Sequence, residues 1–123
     1  MDISRSIAEL KSRPDFSEHV GMVLVHNGIV RGWSRKDHRT VSAIEVDVDQ
    51  PLLKNLRQEF LQYEGIYDII IEARTGTLKP GDDLLFIIVA GDLRENVKPV
   101  LASLLDRIKL EAVSKRELTD SSG

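Results

Sequence analysis

The chain has 123 residues, of which 41% are hydrophobic and 30% charged, a composition typical of a globular protein rather than a disordered one. This length predicts a single domain, residues 1–123, with one hydrophobic core. The net charge of −3 excludes a general nucleic-acid binder, and the lack of cysteine excludes disulfides, a thiol nucleophile and thiolate metal sites. His19, His26 and His38 do not have metal-ligand spacing, the longest apolar run is too short for a bilayer, and no signal peptide opens the chain. We therefore expect a cytoplasmic protein without a metal, a cofactor or a membrane anchor.

The first part of the chain predicts one helix and two strands. The stretch "SRSIAELKSRP" predicts a short amphipathic helix, capped by Ser4 and ended by Pro14. The apolar, β-branched stretch "HVGMVLVHN" (19–27) predicts a strand buried on both faces, and the basic stretch 31–39 predicts an exposed loop. Strict alternation in "VSAIEVDVD" (41–49) predicts a half-buried strand with an acidic outer face.

The middle of the chain predicts a helix followed by a β-hairpin. Pro51 suits the first position of this helix and Gly65 its end. The stretches "IYDIIIEART" (66–75) and "LLFIIVA" (84–90) predict antiparallel strands, and the Pro-Gly pair at 80–81 predicts a type II turn between them. The residues expected on the apolar face of the helix are Leu52, Leu53, Leu56, Phe60 and Tyr63.

A last helix is predicted from about Asn96, because Pro99 is tolerated only in a first turn. Arg94 would then lie in the connection that enters the helix, and the tail 118–123 is predicted to be disordered. The order of elements predicts an α+β fold, in which helices cover a largely antiparallel sheet.

Four cations are predicted to lie at the ends of these elements. Arg31 follows the first strand, Arg94 precedes the last helix, and Lys109 and Lys115 lie at and beyond that helix's C-terminus. Each one alone is more often a solvated surface charge, and a lysine in a last turn also interacts favourably with the helix dipole. Spacing in the sequence does not show whether the four converge.

Three stretches resemble a known family, the large, catalytic subunit of molybdopterin synthase. The stretch "HVGMVLVHNGIVR" is similar to its strand and Gly-x-Val-Arg turn, and "TGTLKPGDDLLFIIVAGDLR" is similar to its hairpin, following strand and arginine. The stretch "DRIKLEAVSKRE" resembles the end of its last helix, with two lysines. The likeness assigns residues 18–117 to a family core, preceded by an N-terminal helix and linker (1–17), and implies an α/β-hammerhead-like fold.

The resemblance implies a partner, a substrate and a role for each cation. In this family a small ubiquitin-like subunit inserts a C-terminal Gly-Gly tail, which carries a thiocarboxylate, and its sulfur is transferred to cyclic pyranopterin monophosphate. Arg31 and Arg94 would bind the phosphate or the pterin, Lys109 would lie beside the tail, and Lys115 would contact substrate or transfer a proton. The expected assembly is a homodimer within a heterotetramer. Because both reactants are anions, clustered cations suit this chemistry.

Two alternatives to an active enzyme follow from the residues. The family commonly has His before the second arginine, where this chain has Leu93, and an aromatic residue between the lysines, where this chain has "LEAVS". A non-catalytic relative that binds a ubiquitin-like tail or a pterin phosphate would fit these differences, and an unrelated anion-binding α+β protein is the third possibility. Trp33 could stack on a pterin, although a lone Trp in a basic loop is more often a partner contact or partly buried core residue.

Overall fold

A computed structural model describes residues 2–119 and shows two three-stranded antiparallel sheets with helices packed against them. The α+β prediction is therefore confirmed. The helices are α1 (Ile3–Lys11), α2 (Phe16–His19), α3 (Gln50–Leu61) and α4 (Arg94–Arg107), and α4 continues into a π-helix, Ile108–Ala112. The strands are β1 (Met22–Ile29), β2 (Val41–Val48), β3 (Ile66–Ala73), β4 (Gly76–Leu78), β5 (Asp83–Gly91) and β6 (Val113–Thr119).

The first sheet has the order β1-β5-β3 and contains the most deeply buried strand of the described chain. Side chains of β5 alternate between two apolar clusters: Ile87 and Val89 belong to the cluster with α3 and α4, whereas Phe86 and Ile88 lie against the N-terminal helices. The prediction that the strand at 19–27 is buried on both faces was wrong. Its side chains contact both clusters but stay partly exposed, because β1 is an edge strand.

The second sheet has the order β4-β2-β6. In β2, Ile44 and Val46 are buried while Glu45 and Asp47 are exposed, which confirms the predicted alternation. Neither β4 nor β6 was predicted. The strand β6 includes the first two residues of the tail that was expected to be disordered, so that boundary was wrong, and residues 120–123 lie outside the described chain.

The hairpin prediction is confirmed in pairing and in turn. Strands β3 and β5 pair antiparallel, with Ile70 opposite Ile88. At the turn, the Asp82 amide donates to the Lys79 carbonyl at 3.0 Å and Gly81 has a φ of 94°, as a type II turn requires. Between the two strands the chain also forms β4, which leaves the first sheet and pairs with β2.

Three details of the helices differ from prediction. The cap of α1 is Asp2, which accepts from the Arg5 amide at 3.0 Å, rather than Ser4, which lies within the helix. Helix α4 begins at Arg94, so Arg94 lies in the first turn and not in the connection, and Pro99 lies further inside, on an exposed side of the helix. Its position there removes only one backbone hydrogen bond near a helix end.

The end of α3 is close to the prediction. The helix stops at Leu61, and Gly65, with a φ of 79°, allows the chain to turn into β3. Leu53, Leu56 and Phe60 are buried as expected, whereas Tyr63 lies beyond the helix and is 53% exposed. No helix within residues 2–119 is long and apolar enough to cross a membrane.

Candidate active site

The two sheets and the π-helix together enclose a pocket that is rich in positive charge. Its volume is about 320 Å³, and its apolar wall includes Leu84 and Leu85 of β5. The polar side chains that line it are His26, Arg31, Trp33, Arg35, Lys109 and Lys115. Three of the four cations singled out in the sequence therefore converge, although they are far apart along the chain.

Arg31 is placed by the turn at the end of the hairpin. The Val30 amide donates to the Asp82 carbonyl at 2.9 Å, and the Gly81 amide donates to the Val30 carbonyl at 2.8 Å. These two bonds fix the backbone immediately before Arg31, and Val30 itself is buried. The Pro-Gly turn therefore has a role beyond reversing the chain: it holds an arginine at the mouth of the pocket.

Trp33 belongs to this site rather than to the hydrophobic core. It is 45% exposed, the Arg31 guanidinium lies 4.8 Å from its ring centroid, and His38 stacks on it at 5.3 Å. The basic stretch 31–39 is an exposed loop as predicted, closed by a bridge between Trp33 and Thr40. An indole and a guanidinium in contact form a surface on which a flat ring can stack.

Lys115 is not a charge at a frayed helix end, because it lies on β6 directly opposite the buried Val46. Opposite residues of an antiparallel pair share a face, so the stem of Lys115 starts from the inner face of the sheet. Although much of the side chain is exposed, loss of hydration lowers the pKa of Lys115, and the positive charges of Lys109 and Arg31 lower it further. Glu117 acts in the opposite direction and lines a neighbouring cavity of about 160 Å³ with Arg31 and Lys115.

Lys109 lies on the π-helix, next to the fully buried Ile108. Burial of Ile108 fixes this turn, and Arg107 holds the π-helix from the other side through ion pairs with Glu111 and Glu59. The exposed Lys109 side chain then lines the pocket. Lys109 therefore projects from the edge of the packed face of this helix.

Arg94 is the one predicted site residue that the structure keeps away from this pocket. It lies at the opposite end of α4, is exposed, and pairs with Glu95 at 3.3 Å. With a helical rise of about 1.5 Å per residue, its backbone lies about 20 Å from that of Lys109. Arg31 and Arg94 of one chain therefore cannot hold the same phosphate.

Sequence reasoning missed two lining residues, Arg35 and His26. Arg35 was counted in the basic stretch but not singled out, and only the fold of the loop brings it to Lys115, whose pKa its charge also lowers. His26 lies on β1, five residues before Arg31, where the sequence shows an apolar strand. An unexplained polar residue in that strand was the available signal.

A larger cavity of about 440 Å³ lies elsewhere, between α2 and the start of β3. Its lining includes Asp15, Glu18 and Asp92, and the pKa of Asp15 is lowered by its hydrogen bond with Tyr67. Ionised carboxylates repel anions, so this cavity does not suit a phosphate or a carboxylate.

Known structures with the same fold include three relatives of low sequence identity. Molybdopterin synthase from Staphylococcus aureus aligns with a TM-score of 0.71 and 23% identity, over 84% of this chain and 77% of that one. Molybdopterin cofactor biosynthesis protein E from Burkholderia multivorans gives 0.74 and 22%, over 100% and 87%. A complex of subunits 1 and 2 of the molybdopterin-converting factor from Helicobacter pylori gives 0.70 and 17%, over 98% and 82%.

No curated protein matches the chain significantly. The family model described as MoaE protein matches residues 1–111, which is most of the chain. Two of the three stretches that suggested the family supply four of the pocket's six polar lining residues, and the loop after Arg31 supplies the other two, Trp33 and Arg35. All six except Lys115 lie within the residues that the family model matches. The chain therefore belongs to the MoaE family, the catalytic large subunit of molybdopterin synthase, a sulfur-transfer enzyme of molybdenum cofactor biosynthesis.

Proposed function

We propose that the pocket of Arg31, Lys109 and Lys115 is where sulfur passes from the thiocarboxylated tail of a small ubiquitin-like subunit to cyclic pyranopterin monophosphate. The observation that carries the proposal is the convergence of four cations in one pocket of a chain whose net charge is −3. Within residues 2–119 no carboxylate lines this pocket, and Glu117, in the adjoining cavity, offsets only part of the positive charge at Arg31 and Lys115. Such a pocket favours two anionic reactants over neutral ones.

Three of the four cations have distinct roles in this proposal. Arg31, stacked on Trp33, is suited to the phosphate and the flat pterin, because a guanidinium binds phosphate oxygens in pairs and the indole offers a stacking face. Lys109, exposed on the π-helix, is suited to the incoming tail. Lys115 contacts substrate or transfers a proton, and its lowered pKa brings its neutral form nearer to physiological pH.

We also propose a homodimer within a heterotetramer, because Arg94 can reach a substrate only in the pocket of a second copy of the chain. Arg94 lies at the far end of α4 from its own pocket, so only a second copy of the chain can bring it beside Arg31. The small subunit is proposed by analogy with the Helicobacter pylori protein, whose structure is a complex of two subunits. Light scattering should report two copies of this chain alone and four chains with the partner, and a monomer at micromolar concentration in both cases would contradict the assembly.

A cytoplasmic location is part of the same proposal and is checked by cell fractionation.

Reconstitution with a thiocarboxylated small subunit and the cyclic precursor tests the function. The wild-type chain should form the dithiolene, and Lys109→Ala should lose most sulfur transfer, on the order of 100-fold or more, while its circular dichroism spectrum is unchanged. Lys54→Ala is the matched control, because Lys54 is an exposed lysine on α3 outside the pocket. Tail binding without sulfur transfer by the wild type would favour the non-catalytic binding module instead.

A further inference from the structure

One residue that lines the pocket has a ring nitrogen without a partner, and the proposed function gives this residue no role. His26 is half-buried on β1, and its Nε2 is shielded from water without a hydrogen-bond partner among residues 2–119. An unpaired buried ring nitrogen is destabilising, so a histidine in this position beside a reactive pocket asks for a reason.

The other polar side chains of the pocket are all hydrogen-bond donors. Arg31, Arg35, Lys109 and Lys115 are cations, and the indole of Trp33 also only donates. The loop, the π-helix and β6 bring these four cations to the pocket with His26, and Glu117 of β6 lies in the adjoining cavity beside Arg31 and Lys115. Among the side chains of residues 2–119 that line the pocket, the neutral imidazole of His26 is therefore the one that can accept a proton near pH 7.

The proposed chemistry requires such an acceptor. Once the thiocarboxylate sulfur has bonded to a carbon of the pterin precursor, the tail is joined to it by an acyl–sulfur bond. Water must break that bond: its oxygen bonds to the acyl carbon, one of its protons leaves, and the electron pair of the acyl–sulfur bond goes to the sulfur that stays on the substrate. The tail departs as a carboxylic acid, which gives its remaining proton to solvent and becomes a carboxylate. No electrons are gained or lost from outside, and the water proton needs a base.

We propose that His26 is this base and takes the proton of the hydrolytic water at Nδ1, the ring nitrogen that is not shielded from water. The proposal rests on the proposed function and deepens it by assigning a proton acceptor to the same pocket. Burial, and then the charge of Lys109, lower the pKa of His26, so the imidazole is neutral and ready to accept at pH 7. The neighbouring cations stabilise the oxyanion that forms as the proton leaves, and the imidazolium then returns its proton to solvent.

The test compares His26→Phe and His26→Gln with wild type in the reconstituted two-subunit complex. His19→Phe is the matched control, because His19 is an exposed histidine on α2 outside the pocket. Both His26 variants should lower the rate constant of sulfur release by about 100-fold to 10,000-fold. They should keep affinity for the small subunit within about twofold, and the acidic limb of the pH–rate profile should disappear. A wild-type rate with the same acidic limb in both variants would overturn the inference, and so would equal losses of rate and partner affinity, which indicate a structural role.

A second measurement does not depend on activity. Histidine ¹⁵N resonances of the wild-type chain, titrated with inorganic phosphate, should show His26 neutral at pH 7 and shifting as phosphate binds, while His19 does not shift. If the His26 resonance does not shift at saturating phosphate, His26 does not belong to the site. A wild-type complex that transfers no sulfur would overturn the proposed function and the hydrolytic role together, whereas an active wild type with fully active His26 variants would overturn this inference alone.

Discussion

Replacing Asp68 with Ala is expected to destabilise the protein by about 3–4 kcal/mol, because this buried carboxylate joins three parts of the fold. One oxygen accepts from Arg13, in the segment between α1 and α2, at 2.8 Å. The other accepts at 2.8 Å from Arg57 of α3 and at 2.8 Å from the Ile69 amide of its own strand. Asp68 is only 8% exposed, so water replaces these partners poorly.

The magnitude follows from what each partner loses. A charge-assisted hydrogen bond contributes about 1.5–3 kcal/mol, and the lower end applies here because the Arg13 and Arg57 side chains are 44% and 34% exposed and can be rehydrated. Two such bonds and about 1 kcal/mol for the amide of Ile69 give the total. Arg57→Met should cost more than Arg13→Met, since Arg57 also donates to the Ile69 carbonyl at 2.6 Å.

Urea unfolding followed by circular dichroism measures the change as a free energy of unfolding. Asp47→Ala is the control, because Asp47 is exposed on β2 and should change stability by less than about 0.5 kcal/mol. Limited proteolysis should show faster cleavage before β1 in Arg13→Met. A cost below about 1 kcal/mol for Asp68→Ala would refute the reasoning, because it would mean that both guanidiniums are already fully hydrated in the folded protein.

Three further substitutions test the pocket and the packing of the sheet beside it. Arg31→Ala should weaken binding of a pyranopterin phosphate or of sulfate by about 1.5–3 kcal/mol in calorimetry, because a charge-assisted bond is lost. Lys115→Met should stabilise the fold slightly at neutral pH, by less than about 1 kcal/mol, since the lowered pKa of Lys115 means that its charged form is disfavoured in the folded state. That gain is full below the lowered pKa and fades as the pH rises toward the ordinary value of 10.5, which melting curves across pH will show. Gly91→Ala should cost about 2 kcal/mol or more, because the added carbon would lie 2.6 Å from Val97 Cγ2, whereas Gly32→Ala, with 3.7 Å to its nearest neighbour, should be nearly neutral.

Each of these has a contradicting result. If Arg31→Ala binds sulfate as tightly as wild type, Arg31 is a solvated surface charge and not part of an anion site. A Lys115→Met variant whose stability matches wild type at every pH would mean that the ammonium keeps its full hydration. If Gly91→Ala and Gly32→Ala unfold at the same urea concentration, the backbone around β5 has enough freedom to move away from the added carbon.

Local signals predicted the elements whose causes are local. The Pro-Gly turn was found because two residues determine its dihedral angles, and α3 was found because its apolar face and its ends are all marked within fifteen residues. The strand β6 was missed because "VSKRELT" has little apolar character of its own. It is a strand because it pairs with β2, about seventy positions earlier in the chain.

The residues of the site were also predicted only in part. Arg31, Lys109 and Lys115 were identified through resemblance, and the structure brings all three to one pocket. The position of Arg94 could not be foreseen, because Pro99 was assumed to mark a first turn when the helix in fact starts two residues earlier than predicted. His26 was missed although it is a polar residue within an apolar strand, because the sequence alone does not show which side chains of a strand line a pocket.

Because Lys109 lies on the π-helix and Lys115 on the strand that follows, the number of residues between the two lysines does not determine the distance between them in the folded protein. A π turn holds an extra residue compared with an α turn, so a family member that gains or loses a residue here can exchange one winding for the other. Such a change does not move Lys115, because cross-strand pairing from Val113 to Thr119 sets its register against β2. The stretch "LEAVS" is therefore compatible with both lysines at one pocket, and the number of residues between them is a poor criterion for whether a chain of this fold brings them together.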